Sequence, residues 1–247
     1  MATKTHKSLT ISEGQSSAME STEMILFNNQ LLFVHNPKTA GTSLLNYLGK
    51  ILSGPVHYGG VKEVGTYHPS LSRSLNYACA ITGNRPQDFQ RIITVIRNPF
   101  DRELSMYVYF RDVLCNSASL AHDLNDRHIE RIVRIAGKLS FDDYLARIYS
   151  ELGTCDIWKS KYFYSTAEGN VPSNLRILKM ENLDEDLAEA LRGIELANNI
   201  ANIPRLNSSP RTSADVYRNA RSLEIVAQSY EWMFADGYYD IDSFRIA

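Results

Sequence analysis

The chain has 247 residues, 44% of them hydrophobic and 22% charged, with a formal net charge of -2. That length suffices for one well-buried α/β domain, and the near-neutral balance excludes a general polyanion-binding surface while leaving room for a local basic cleft. No apolar run reaches the roughly 18 residues of a membrane helix. The three cysteines, Cys79, Cys115 and Cys155, form no CxxC pair, which argues against a metal site or disulfide framework and fits a reducing cytoplasm.

Residues 1–23 are polar, rich in Ser, Thr, Lys and Glu, and lack the apolar core of a secretory signal. They read as a disordered tail, leaving residues 24–247 as a single domain. Leu31–His35 is a short apolar run that stops at Asn36-Pro37, the pattern of a buried strand ending in a turn. Leu44, Leu45, Leu48, Ile51 and Leu52 then recur at helical spacing across Ser43–Leu52. Arg91–Ile96 is a second strand, ending at Asn98-Pro99, with Pro99 suited to the first turn of a helix over Phe100–Val113. Cys115–His128 is polar and reads as a surface loop or irregular helix. Helices are expected over Phe141–Leu152, Leu183–Leu196 and Ala214–Phe234, and a third strand over Leu175–Lys179. No internal repeat is present. Strands alternating with helices imply a central, mostly parallel sheet covered on both faces. Ligands in such folds bind beyond the carboxyl ends of the strands, where the two most distinctive motifs lie.

The first motif runs from Phe33 to Leu44, FVHNPKTAGTSL. A tight loop feeding a helix gathers backbone N–H groups into one concavity, and the helix dipole adds partial positive charge. Gly41 would let the backbone approach a ligand; Thr39, Thr42 and Ser43 would add hydroxyls, Lys38 a cation, and Ala40 a place on the loop. The Walker A order GxxxxGK[ST] is not met, because Lys38 precedes Gly41 by three residues. The second motif is VIRNPFDRELSMYVYF, Val95 to Phe110. Arg97 ends the strand, and Ser105, eight residues on, lies in the second turn of the helix, so both can converge on one anion. Arg102 shares a helix face with Ser105 and reads as structural, holding a nearby carboxylate; Tyr107 reads as packing.

Taken together, HNPKTAGTSL and RNPxxRxxSxY resemble the 5′-phosphosulfate loop and the 3′-phosphate motif of sulfotransferases that use 3′-phosphoadenosine 5′-phosphosulfate (PAPS). The variant is that of the carbohydrate-type group, which includes heparan sulfate O-sulfotransferases and bacterial relatives. The resemblance implies a P-loop-like α/β fold and PAPS as donor, with adenosine 3′,5′-bisphosphate (PAP) as product. It gives Lys38 the bridging oxygen and Arg97 and Ser105 the 3′-phosphate. Weaker likenesses cover LRILKMENLDED (Leu175–Asp186), with Glu181 structural, and RLNSSPRTS (Arg205–Ser213), where Arg211, Ser208 and Ser209 are candidates for nucleotide contacts. Tyr230–Tyr239 would be core packing.

Sulfuryl transfer needs a base for the acceptor proton, and histidine suits that role. His68, opening HPSLSRSL between the motifs, is the preferred base by the same resemblance; His57 is second. His35 reads as positional, and His122 and His128 fall in the polar loop. The acceptor is expected to be a small molecule, sulfated on a hydroxyl or on an amine or guanidinium nitrogen. Tyr58, Tyr67, Tyr107 and Tyr109 could shape its pocket, and Asp112, Asp123, Asp126 and Glu130 could suit a cationic acceptor, although a solvated loop is the plainer reading. No metal, nucleic acid or membrane partner is called for. The alternatives are a carbohydrate O-sulfotransferase, a kinase-like nucleotide enzyme, and a catalytically silent module that binds sulfated or phosphorylated ligands.

Overall fold

The computed structural model describes residues 23–60, 68–115, 127–152, 159–196, 203 and 219–241. Among the described residues five strands form one sheet: β1 (Glu23–Phe27), β2 (Leu31–Val34), β3 (His57–Gly60), β4 (Arg91–Ile96) and β5 (Leu175–Lys179), in the order β3-β1-β2-β4-β5. The three strands expected from the sequence are the parallel part, with Leu31 opposite Arg91 and Ile92 opposite Leu175. The sheet as a whole is mixed, with as many antiparallel as parallel pairings, which corrects the expectation of a mostly parallel one: β1 runs antiparallel to both β2 and β3. The cause is local. Only three residues separate β1 from β2, enough for a hairpin but not for a parallel crossover. Asn28 fastens that turn by accepting from the amides of Gln30 (2.9 Å) and Leu31 (2.8 Å). β1 thus begins at Glu23, the last residue of the stretch read as tail.

The helices are α1 (Gly41–Ile51), α2 (Leu71–Thr82), α3 (Pro99–Val108), α4 (Arg127–Ala136), α5 (Phe141–Leu152), α6 (Leu183–Ala190), α7 (Ala220–Ser229) and α8 (Glu231–Ala235). α3 passes into a π-helical turn at Tyr109–Leu114, where an ordinary helix to Val113 was expected. α6 stops six residues before its expected end at Leu196, ahead of Gly193 at φ 82°. The C-terminal helix breaks at Tyr230, which leaves the helical region at φ -118°, ψ 23°. Residues 1–22, most of the polar loop before α4, and Arg205–Ser213 lie outside the described residues.

Strand alternation divides the core between the two faces. Leu31, Phe33, Ile93 and Val95 face α1 and α6, whose Leu44, Leu48 and Leu187 complete that layer. Leu32, Val34, Ile92 and Ile96 face the other way, onto Leu75 of α2, Phe100 and Leu104 of α3, Leu145 of α5 and Val226 of α7. Helices thus cover both faces, as the strand–helix alternation implies. Among the described residues no helix is long and apolar enough to cross a membrane.

Candidate anion-binding site

The parallel pairing of β2 with β4 delivers the two motifs to one edge of the sheet. Val34 lies opposite Thr94, whose hydroxyl donates to the Val34 carbonyl at 3.0 Å. One step further on, the Asn36 side-chain amide donates to the Val95 carbonyl (3.3 Å) and to the Tyr164 hydroxyl (2.7 Å). Asn36 is thereby a buried strut between the loops, a role that the sequence reading did not give it.

Past Asn36 the chain turns sharply. Lys38 and Ala40 both have φ 64°, and with His68 (φ 51°) they are the non-glycine residues at positive φ among those described. All three belong to the predicted site, where backbone strain of this kind tends to be kept. The Thr39 hydroxyl donates to the Asn36 carbonyl (2.7 Å) and is buried. Thr39 therefore fastens the turn from within, where a hydroxyl open to a ligand was expected. Ala40 is the N-cap of α1, and the Leu44 amide is the first in the helix to reach back, to the Ala40 carbonyl (3.1 Å). The amides of Gly41, Thr42 and Ser43 precede any intrahelical partner and sit at the positive end of the helix dipole. Ser43 is buried and Thr42 half-buried.

Gly41 has a reason within the fold itself, besides the approach to a ligand expected of it. A β-carbon there would lie 1.7 Å from Cδ2 and 2.1 Å from Nε2 of His35. The glycine admits the His35 imidazole beneath the helix N-terminus, so it serves the loop's foundation. His35 in turn meets the ring of His68 edge-on, with centroids 4.7 Å apart. His68, half-buried just before α2, hydrogen-bonds to the backbone of His35.

The electrostatics join residues distant in sequence. Burial, then the charges of Arg97 and Arg102, push the Lys38 ammonium down to about 8. Burial pushes His68 down to about 4, with Arg102 and Lys38 adding to the effect and the bond to His35 opposing it. His35 is held well below its usual range by burial and by the same neighbours, His68 and Lys38. At neutral pH both imidazoles are therefore uncharged, beside a set of cations contributed by both motifs. The Lys38 Nζ rests over the ring of Tyr109, 4.1 Å from its centroid.

Arg97 is half-buried at the end of β4, and Ser105 is half-buried in α3. The turn after Arg97 is fixed twice: the Asn98 side chain accepts from the Phe100 amide (3.0 Å), and the Asn98 amide donates to Glu181 (2.8 Å). Glu181 also accepts from the Tyr239 hydroxyl (2.8 Å), in keeping with a structural role.

Other candidates lie elsewhere. His57 stacks on Phe27 in the edge strand β3 (centroids 5.3 Å apart), away from the two loops. Tyr58 packs in the layer under α1. Tyr107 is buried against Phe141 and Tyr144, its hydroxyl donating to the Leu139 carbonyl (2.8 Å), so it is packing as expected. Asp112 pairs with Arg111 (2.6 Å), and Glu130 is exposed on α4. Tyr67, Asp123, Asp126, His122, Ser208, Ser209 and Arg211 lie outside the described residues, as does the side chain of His128. Among the described residues no group of three or more His, Cys, Asp or Glu is placed to hold a metal ion.

Comparison of the chain with protein-family models, with curated proteins and with solved structures found no match.

Proposed function

We propose that the chain is a PAPS-dependent sulfotransferase acting on a hydroxyl or on an amine or guanidinium nitrogen of a small-molecule acceptor. The observation that carries this reading is the joining of two cationic loops, Lys38 after β2 and Arg97 after β4, beside the neutral imidazole of His68. A donor with phosphates at both ends of its ribose needs two such anion sites, and an acceptor losing a proton needs an unprotonated base.

The donor set fits the nucleotide in kind. The amides of Gly41, Thr42 and Ser43 with Lys38 would hold the 5′-phosphosulfate, and Arg97 with Ser105 the 3′-phosphate. When bound, PAPS supplies an activated sulfuryl group, whose bond to the 5′-phosphate oxygen breaks as the acceptor's bond to sulfur forms. His68 takes the acceptor's proton. Its proton affinity is held low first by burial and then by Arg102 and Lys38, and a polyanion beside those cations offsets their part of the lowering. Lys38 neutralises charge on the departing oxygen, and the same anion favours its protonated form.

The test is a thermal shift with PAP against AMP, ADP and ATP. A ligand that binds only the folded chain raises the melting temperature by mass action. Stabilisation by the bisphosphate alone, lost in Arg97→Ala, is the expected result. Equal stabilisation by ATP would instead favour a kinase-like enzyme. Tight bisphosphate binding with no turnover of PAPS on any acceptor would leave a binding module.

A further inference from the structure

Behind the loop runs a line of buried polar side chains to which the proposed reaction gives no direct part. Arg102 of α3 is wholly buried. Its Nε donates to the Pro37 carbonyl (3.1 Å), one terminal nitrogen donates to the Tyr230 hydroxyl, and the other lies 3.5 Å from the Asn36 side-chain oxygen. Tyr230 donates to Glu103 (2.5 Å), and the same carboxylate oxygen lies 3.1 Å from the Lys159 ammonium, which donates to the Tyr149 hydroxyl (2.5 Å). Burial alone would raise the Glu103 carboxyl. Lys159, Arg102 and Tyr230 outweigh it and keep the group ionised.

The bond to Pro37 has a geometric consequence. A trans peptide sets its C=O and N–H in opposite directions. Arg102 draws the Pro37 carbonyl inward, since its own side chain is fully enclosed. The other half of that peptide is the N–H of Lys38, which must then point away from Arg102. The next residues bend through φ 64° at Lys38 and at Ala40, an arrangement in which successive amides turn toward one concavity. Asn36 and Thr39 close the turn from below, but neither touches the Pro37–Lys38 peptide in any bond described above.

We infer that Arg102 is the positioning residue of the anion loop: by holding the Pro37 carbonyl against the core, with Tyr230 and Glu103 behind it, it presents the Lys38 amide as a donor to the bound anion. The inference rests on the proposed function only in naming the natural anion as a phosphosulfate. Arg102 touches no substrate in this account; it acts through the backbone of Pro37 and Lys38.

The experiment uses the full chain labelled with ¹⁵N and inorganic sulfate as the probe, followed by PAP. In the native protein, sulfate is expected to move the Lys38 amide resonance downfield together with those of Thr42 and Ser43. Arg102→Met removes the donors at similar length. It is expected to abolish the Lys38 response and weaken sulfate at least tenfold, while the Thr42 and Ser43 amides still respond at higher sulfate. Arg102→Lys, with one donor left, should recover part of the Lys38 response. A residue that merely supported the fold would lower stability without singling out one amide. Should Arg102→Met fail to fold, Tyr230→Phe decides, because it keeps Arg102 but takes away its hydroxyl partner; an about threefold weakening with a smaller Lys38 shift is expected. Folded variants with the native Lys38 response would overturn the inference. Sulfate binding as expected, with no preference for the bisphosphate over AMP, would overturn the proposed function and leave the inference standing.

Discussion

The Lys38 ammonium lies 4.1 Å from the centroid of the Tyr109 ring, at the start of the π-helical turn that follows the second motif. The ring face favours the charged form, whereas burial, Arg97 and Arg102 disfavour it and leave the group at about 8. A bound polyanion reverses the balance. Below pH 8 Lys38 is already protonated, so bisphosphate affinity should be flat with respect to this group. Above pH 8 binding must take up a proton, and affinity should fall by up to about tenfold per pH unit until the pKa of the complex is reached. Calorimetry at pH 8.5 in two buffers of different ionisation enthalpy would show the uptake. Lys38→Met should remove both the uptake and the slope. A slope that survives in that variant would assign it to another group.

His68 gives the opposite limb. Its folded pKa of about 4 is below the unfolded 6.5. Its contribution to stability is therefore complete above pH 6.5 and is lost as pH falls toward 4, because the unfolded chain binds the proton first. At about 1.36 kcal/mol per unit, the full loss is roughly 3 kcal/mol. His35 acts in the same direction and is coupled to His68, so the native acid limb belongs to the pair. His68→Asn keeps a side chain that tolerates positive φ and removes one titration. Urea unfolding at pH 7 and pH 4.5 should show a smaller difference in the variant than in the native chain. The same variant should lose turnover of PAPS while still binding the bisphosphate, if His68 is the base.

Glu181 tests the second loop. Its carboxylate accepts from the Asn98 amide and the Tyr239 hydroxyl, both at 2.8 Å. Glu181 is exposed although Asn98 is buried, and Glu181→Ala, which removes the acceptor of both bonds, should cost on the order of 1 kcal/mol of stability. The larger effect should fall on ligand: the turn after Arg97 loses one of its two fixings, and bisphosphate affinity should drop severalfold. An unchanged affinity would mean that the Asn98 cap alone sets Arg97.

The parts of this architecture that the sequence makes legible are those written in local pattern. β4 and β5 match their β-branched and apolar runs residue for residue, α5 matches its helical spacing, and the turns at Asn36-Pro37 and Asn98-Pro99 end their strands. β1 carries its own signal in Met24–Phe27 followed by Asn28-Asn29, a hairpin cue hidden behind the polar tail. β3 carries almost none: His57-Tyr58-Gly59-Gly60 is a strand because β1 offers it an edge. The site divides in the same way. Lys38 and Arg97 are recognisable from the loops that bear them. The contact between His35 and His68, 33 residues apart, the buried line from Arg102 to Lys159 and the true neighbour of Gly41 exist only once the sheet has brought these segments together.

That last neighbour can be tested by a double-mutant cycle. Gly41→Ala places a methyl group 1.7 Å from the His35 ring, and both the helix N-terminus and the ring are enclosed. Overpacking of this kind typically costs about 1–3 kcal/mol. The displaced groups are the amides that would hold the anion, so sulfate and bisphosphate binding should weaken together with stability. His35→Ala alone opens a cavity under the loop and should also destabilise. In the double variant the new methyl occupies part of the space vacated by the ring. The combined loss in urea unfolding should then be smaller than the two single losses added, by about 1 kcal/mol or more, the mark of residues in direct contact. Strictly additive losses would show that Gly41 is required by something other than His35, and a loop backbone approaching its ligand would again be the better account of the glycine.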